Sequence, residues 1–236
     1  MDVHADLDDA TGVLTISFDD GAKNALTIEA LDQLAAQLDK AGDEVKAIVI
    51  TGRSDIFTAG LDLKFIEENG RDGLRDLLAT LGRTLMRLWT ERRPTVCAAA
   101  GHGIAAGTML AMACDHAIGA EGRFWWGLTE TQIDFEMPIY GIALAQSNVR
   151  ADRLEDLLLP GKRVDTAAAV EAGYLDEAVA QDQVLARAQE KAAELAQLPA
   201  RAYGRTKLRL REEVADAVVD ELVDDVTEVA AHLPKI

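Results

Sequence analysis

The sequence predicts an α/β fold, because short β-branched runs and segments of helical periodicity alternate along its 236 residues. Two of the runs read as buried strands. Residues 45–51 are mostly apolar and β-branched, and residues 95–100 follow Pro94, which cannot continue a helix. Between and around them, apolar side chains recur three and four residues apart.

The first twenty residues alternate apolar and polar about Ala10-Thr11-Gly12 and predict a hairpin ending at Phe18. Thr27 stands where it can cap a helix to about Lys40, with Ile28, Leu31, Leu34, Ala35 and Leu38 on one face. Residues 74–90 read as a second helix, 106–113 as a short third and 115–120 as a strand. From Asp165 onward the pattern is helical, apart from a short strand at 174–179. Leu198-Pro199 marks a joint, giving a core of residues 1–198 and a C-terminal helical region, 199–236, with helices near 200–211 and 213–232.

Composition excludes several functions. With 24 basic and 41 acidic residues, the net charge of −17 argues against nucleic acid, whose phosphates need a basic face. No apolar run approaches the roughly 18 residues needed to cross a bilayer. The acidic start is unlike a secretory signal, and two cysteines cannot form a disulfide framework, so a reduced cytoplasm is expected. His4, His102, His116 and His232 lack metal-ligand spacing, so no metal is expected. Cys97 and Cys114 sit in apolar stretches, and Ser17, Ser54 and Ser147 lie in no G-x-S-x-G turn.

Gly101-His102-Gly103-Ile104-Ala105-Ala106 fits the dinucleotide pattern G-x-G-x-x-A, with Glu121 at the distance of a ribose-binding acid. The helix that follows has room for only about eight residues before Asp115, whereas a crossover needs about 10–12. The motif is therefore not read as a nucleotide site.

Taken together, two segments say more. Ile48 to Lys64 is a strand, a turn and a tight Ala59-Gly60 loop; Pro94 to Gly107 repeats that logic before a helix. Small residues at both turns let a ligand approach the backbone, and a helix start presents unpaired N–H groups. Two such loops face to face would make an oxyanion hole. Phosphate partners are available at Lys23, Arg53 and Lys64, and in the run Arg201, Arg205, Lys207, Arg209, Arg211, which reads equally as a solvated helix face.

At these residues the chain resembles the crotonase (enoyl-CoA hydratase/isomerase) superfamily. The matching pieces, in order, are Asn24-Ala25-Leu26, Phe57 to Lys64, Gly101 to Asp115, Gly127-Leu128-Thr129-Glu130 and Thr206-Lys207. The resemblance implies a crotonase-like spiral of strand–strand–helix units with C-terminal helices that pack trimers or hexamers. It implies an acyl-CoA thioester as the partner and no cofactor besides. The oxyanion amides fall on Leu61 and Ala106. CoA contacts fall on Ala59, Gly60, Asp62, Leu63 and Lys64, with Lys23 and Lys207 near its phosphates; beside Met109, Trp125 and Trp126 are candidates from their residue type for lining an acyl pocket, with buried packing of at least one as the ordinary reading.

Hydratases of the family often carry two glutamates. Here the first position is Met109, which transfers no proton, and the second is Glu130. The single glutamate resembles that of mitochondrial Δ3,Δ2-enoyl-CoA isomerases, so double-bond isomerisation is the expected reaction. Desolvation by Phe124, Trp125, Trp126 and Met109 is expected to make Glu130 a stronger base. Asp134 and Glu136 are candidates for a second acid in the alternative reading, 2-enoyl-CoA hydration. An acyl-CoA-binding protein without catalysis is the alternative of another class.

Overall fold

The structure, a computed structural model, describes residues 2–232; Met1 and residues 233–236, the tail of the predicted C-terminal region, lie outside them. The chain opens with the expected hairpin, β1 (Asp2–Asp8) and β2 (Val13–Asp19), antiparallel with Asp8 opposite Val13. Helix α1 (Ile28–Lys40) starts at Thr27, whose hydroxyl accepts from the Ala30 N–H at 3.2 Å.

Three similar passages follow. β3 (Ala47–Thr51) and β4 (Ile56–Thr58) lead into α2 (Leu63–Trp89). β5 (Thr95–Ala99) and β6 (His102–Ile104) lead into α3 (Ala106–Met112). β7 (His116–Ala120) and β8 (Trp126–Gly127) lead through a short 3-10 turn, Glu130–Ile133, into α4 (Ile139–Asn148). The first strand of each pair joins a six-stranded sheet ordered β1-β2-β3-β5-β7-β9, with β9 (Glu177–Val179) at its far edge. The second strand of each pair joins a small parallel sheet ordered β4-β6-β8. Each passage is one turn of a strand–strand–helix spiral, the crotonase-like fold.

Alternation along the strands builds two cores. Ile48 and Ile50 face the larger one with α1 and α2, while Ala47 and Val49 face a second layer with Val184, Ala188 and Ala192 of α7 (Val184–Ala196). Helices α5 (Leu154–Leu158) and α6 (Thr166–Ala172) lie between α4 and β9.

The differences from expectation have local causes. The second helix begins at Leu63 rather than residue 74, because Asp62 caps it by accepting from the Lys64 and Phe65 N–H groups; Gly70 (φ 60°, ψ −146°) then breaks it. The two closing helices are one, α8 (Ala200–Ala230), since Arg211-Glu212-Glu213 contains no breaker and the apolar period runs on through Ala215, Val218, Leu222, Val226 and Val229. That stripe is buried within the chain, where α8 packs on α2 and α4; Leu210, Val214, Val219 and Val223 remain exposed. The glycines of the dinucleotide-like motif serve packing. A β-carbon on Gly101 would lie 2.2 Å from the Asp55 carbonyl oxygen, and one on Gly103 would lie 2.6 Å from the Trp126 ring. Among the described residues no helix is long and apolar enough to cross a membrane.

Candidate active site

The loop after β4 and the loop after β6 meet over one cavity. Thr58 anchors the first: its hydroxyl contacts the Asn24 carbonyl at 2.5 Å and accepts from the Gly60 N–H at 3.0 Å. Asn24, buried with φ 52°, donates from its amide to the carbonyls of Phe18 and Phe57 and so fixes this loop to β2 and β4. The Ala59 N–H is taken by the Lys23 carbonyl, and the Leu26 N–H and carbonyl bind Gly60 and Asp62 on either side of Leu61. The Leu61 N–H makes no hydrogen bond among the described residues.

Across from it, Ala105 has a positive φ of 54°, unusual for a residue with a β-carbon. Its N–H is held by the Gly127 carbonyl at 2.9 Å, and Thr108 bridges Gly103 and Gly127 from below. The next N–H, that of Ala106, is likewise without a partner among the described residues. Gly60 lets the loops close on each other, since a β-carbon there would lie 3.9 Å from the Ala106 nitrogen and 3.3 Å from the Ile104 carbonyl oxygen.

The cavity, of about 130 Å³, has walls formed by Leu74, Leu78 and Leu81 of α2, Met109 of α3, and Phe135. Leu61, Ala106 and Glu130 open onto it. Glu130 starts the 3-10 turn after β8. Its carbonyl accepts from the Phe135 N–H at 3.1 Å, which folds Phe135 back into the wall. The Glu130 side chain is buried and its Oε2 has no hydrogen-bond partner among the described residues. Desolvation pushes its carboxyl from the usual 4.5 up to about 7, opposed only by its own backbone N–H. Tyr140 of α4, whose buried hydroxyl is also unpartnered among the described residues, lines the cavity; burial holds that phenol neutral.

The predicted residues divide accordingly. Ala59, Leu61, Leu63, Ala106, Met109 and Glu130 come together at the cavity. Gly60, Asp62, Lys64 and Lys23 lie on or beside the same loop but do not line it; Asp62 is a helix cap, and Lys64 is exposed with Glu68 3.7 Å away.

Four expectations are corrected. Trp126 is fully buried beneath Gly103 and does not reach the cavity, and exposed Trp125 and half-buried Phe124 are not in its wall either. Of the four groups expected around Glu130, Met109 lines the cavity with it, and the rest of the apolar lining comes from aliphatic side chains and Phe135. Asp134 and Glu136 are exposed and flank Phe135 on the outside; Asp134, at φ 60°, ends the 3-10 turn in the left-handed conformation. Lys207 is far from a phosphate role, being 5% exposed with its ammonium on Asp115 (2.5 Å) and the Arg93 carbonyl (2.7 Å).

Sequence reasoning missed Tyr140, Phe135 and the α2 leucines. The leucines carried a signal in their spacing at 74, 78 and 81, which places them on one helix face. Tyr140 carried none, because a lone tyrosine ten residues past Glu130 does not announce where its ring turns.

Comparison with known proteins agrees with this geometry. The profile of the family described as Enoyl-CoA hydratase/isomerase matches residues 8–231. A Thermus thermophilus relative named for enoyl-CoA hydratase is 32% identical over 213 residues, 86% of this chain and 77% of that protein. Human mitochondrial enoyl-CoA delta isomerase 1 is 26% identical over 232 residues, 97% of this chain and 77% of that protein. The crystal structure of human mitochondrial delta3-delta2-enoyl-CoA isomerase superposes with a TM-score of 0.92 at 25% identity, covering 97% of this chain and 90% of that one. Two loops closing over one buried glutamate, on a strand–strand–helix spiral matched over residues 8–231, place this chain among the enzymes of the enoyl-CoA hydratase/isomerase family, to which it belongs.

Proposed function

We propose that the protein shifts a double bond in an enoyl-CoA, from the 3 to the 2 position, with Glu130 as its single base. One observation carries the reading: Glu130 is the one carboxylate among the described residues lining the cavity, and Met109, at the position where the resemblance puts a second glutamate in hydratases, lines it too. Its raised pKa of about 7 suits a group that must take a proton and return it. In the proposed cycle Glu130 removes a proton from the carbon α to the thioester. The Leu61 and Ala106 N–H groups hold the enolate oxygen, and Glu130 delivers the same proton to the γ-carbon. The proton count closes on one carboxylate, so the chemistry asks for no cofactor beyond the CoA of the substrate. Ala59, Gly60, Asp62, Leu63, Lys64 and Lys23 are proposed to border the CoA moiety, because their loop rims the cavity.

Product analysis after incubation with trans-3-enoyl-CoA and with 2-enoyl-CoA tests this. The expected result is conversion of the first to the 2-enoyl thioester, with slow hydration. Brisk hydration that is lost in Asp134→Asn or Glu136→Gln would replace the reading with a two-carboxylate hydratase. Association of copies as a trimer or hexamer is proposed from the exposed Leu210, Val214, Val219 and Val223 on α8, and light scattering that reports a monomer at micromolar concentration contradicts it. A cytoplasmic setting is proposed from the two cysteines, both buried and unpaired.

A further inference from the structure

The basic run on α8 is sorted by the structure onto two faces. Lys207 and Arg211, one helical turn apart, point inward, where both bind Asp115 and Arg211 also donates to the Trp89 carbonyl. Arg201, Arg205 and Arg209, each four residues from the next, point outward. With Arg92, from the turn between α2 and β5, they line a groove of about 320 Å³ outside the cavity described above.

Two features set this groove apart from ordinary surface. First, none of its four guanidinium groups makes a hydrogen bond or an ion pair among the described residues. Of the other twelve arginines, Arg53, Arg75, Arg87, Arg93, Arg150, Arg153, Arg187 and Arg211 hold carboxylates, while Arg71, Arg83, Arg123 and Arg163 hold none among the described residues, so it is the clustering of four unpaired guanidinium groups along one groove that is unusual. Acidic residues outnumber basic ones by 41 to 24, so clustered cations without partners run against the composition. One carboxylate, Glu212, stands at the groove, leaving most of the charge uncompensated. Second, the groove depends on a glycine. A β-carbon at Gly204 would lie 3.0 Å from the Arg92 carbonyl oxygen and 3.1 Å from the Arg92 β-carbon. Without one, the Arg92 backbone rests on α8, and its guanidinium joins the row.

At 1.5 Å per residue, Arg201 to Arg209 covers about 12 Å of helix. One phosphate cannot engage a row that long, whereas guanidinium forks suit several phosphate oxygens in succession. We infer that this groove binds a ligand carrying at least two phosphate groups several ångströms apart, either the nucleotide part of a CoA thioester or a separate polyphosphorylated metabolite. The inference rests on the arginine groove alone and stands apart from the assignment of Glu130.

Calorimetry on the full chain tests it, with tripolyphosphate and adenosine 3′,5′-bisphosphate as probes at low salt. The comparison is between Arg201→Gln/Arg205→Gln/Arg209→Gln and a control, Arg71→Gln/Arg123→Gln/Arg163→Gln. The control removes the same three charges from exposed positions elsewhere, and glutamine keeps the helix. Wild type and control are expected to bind, with at least tenfold weaker binding in the groove variant and weakening with added salt. If acyl-CoA affinity falls in parallel, the phosphates are those of CoA; if it holds while probe binding is lost, the ligand is a separate one. Absence of binding to wild type, or equal weakening in groove and control variants, overturns the inference.

Discussion

The Ala106 nitrogen lies 3.9 Å from the point where a β-carbon on Gly60 would sit. A side chain there would make ordinary contact with the loop that carries Ala106 but would crowd the Ile104 carbonyl oxygen at 3.3 Å, so residue 60 sets how closely the two loops that carry the proposed oxyanion donors can approach. Gly60 also has φ 92°, which a residue with a β-carbon adopts at a cost of about 1 kcal/mol or more. Gly60→Ala is expected to lower turnover at least tenfold while the melting temperature falls by only a few degrees. Gly60→Val, which adds bulk against the Ile104 carbonyl, is expected to lose more of both. Unchanged turnover in Gly60→Ala removes the paired loops from the mechanism.

Glu130→Gln keeps the size and hydrogen bonding of the side chain and removes its ability to take a proton. Isomerisation is expected to fall about a thousandfold with acyl-CoA affinity retained. In wild type, kcat/KM is expected to rise with pH through about 7, because the base must be ionised and burial holds its carboxyl there. A profile already flat above pH 5 contradicts the buried base.

The same burial has a price in stability, with a sign that can be worked out. The folded-state pKa of about 7 lies above the ordinary 4.5, so the folded state favours the protonated form. The contribution is full below pH 4.5 and is lost as pH rises through about 7, at on the order of 3 kcal/mol. Glu130→Gln is therefore expected to match wild type in denaturant unfolding near pH 4.5 and to exceed it at pH 8. Equal stability at pH 8 would mean that the carboxylate is solvated.

How much was legible follows from the kind of signal each feature leaves. Strands β3 and β5, the Thr27 cap and both small-residue loops were visible because they depend on neighbours in sequence. The two loops that close over the cavity were visible by the same route, since their glycines and alanines mark close backbone approach. What failed depends on contacts far along the chain. Trp126 lies only four positions before Glu130, yet its ring turns under Gly103 instead of into the cavity. Lys207 belongs to a basic run, but its fate is set by Asp115, 92 positions earlier and buried with it. Helix length failed for a third reason: charge reversal at Arg211-Glu212 looks like a boundary, but only a change in backbone preference makes one.

Asp115 now has a testable role of its own. It receives Lys207, Arg211 and the Tyr203 hydroxyl, and accepts from the Thr95 N–H, tying α8 to the start of β5. Asp115→Asn leaves two cations near a neutral amide and is expected to cost about 3–5 kcal/mol in denaturant unfolding. Lys207→Met removes one cation and leaves Arg211 in place, so it is expected to cost less. Acyl-CoA affinity in Lys207→Met should match wild type; a large loss of affinity at full folding would return Lys207 to the binding site.

Met109→Glu examines the one-base reading from the opposite side. Met109 is 2% exposed, lines the cavity with Glu130, and packs near Gly141 of α4, where a β-carbon would lie 3.1 Å from the Met109 methyl. Glutamate is close to methionine in volume, so the change puts a carboxyl into the cavity without demanding much new space. Burying it costs about 2–4 kcal/mol unless it is protonated or bonded, and two carboxyls in one apolar cavity raise each other's pKa. Absolute rates are thus expected to drop, and the informative quantity is the ratio of hydration to isomerisation. A second carboxyl can orient and activate water while Glu130 handles the carbon-bound proton, so the ratio is expected to rise at least tenfold over wild type. Met109→Gln controls for polarity, since it hydrates the cavity without adding an acid, and is expected to leave the ratio near that of wild type. If Met109→Gln and Met109→Glu shift the ratio equally, water access rather than a missing acid separates the two reactions, and the argument from a single base falls.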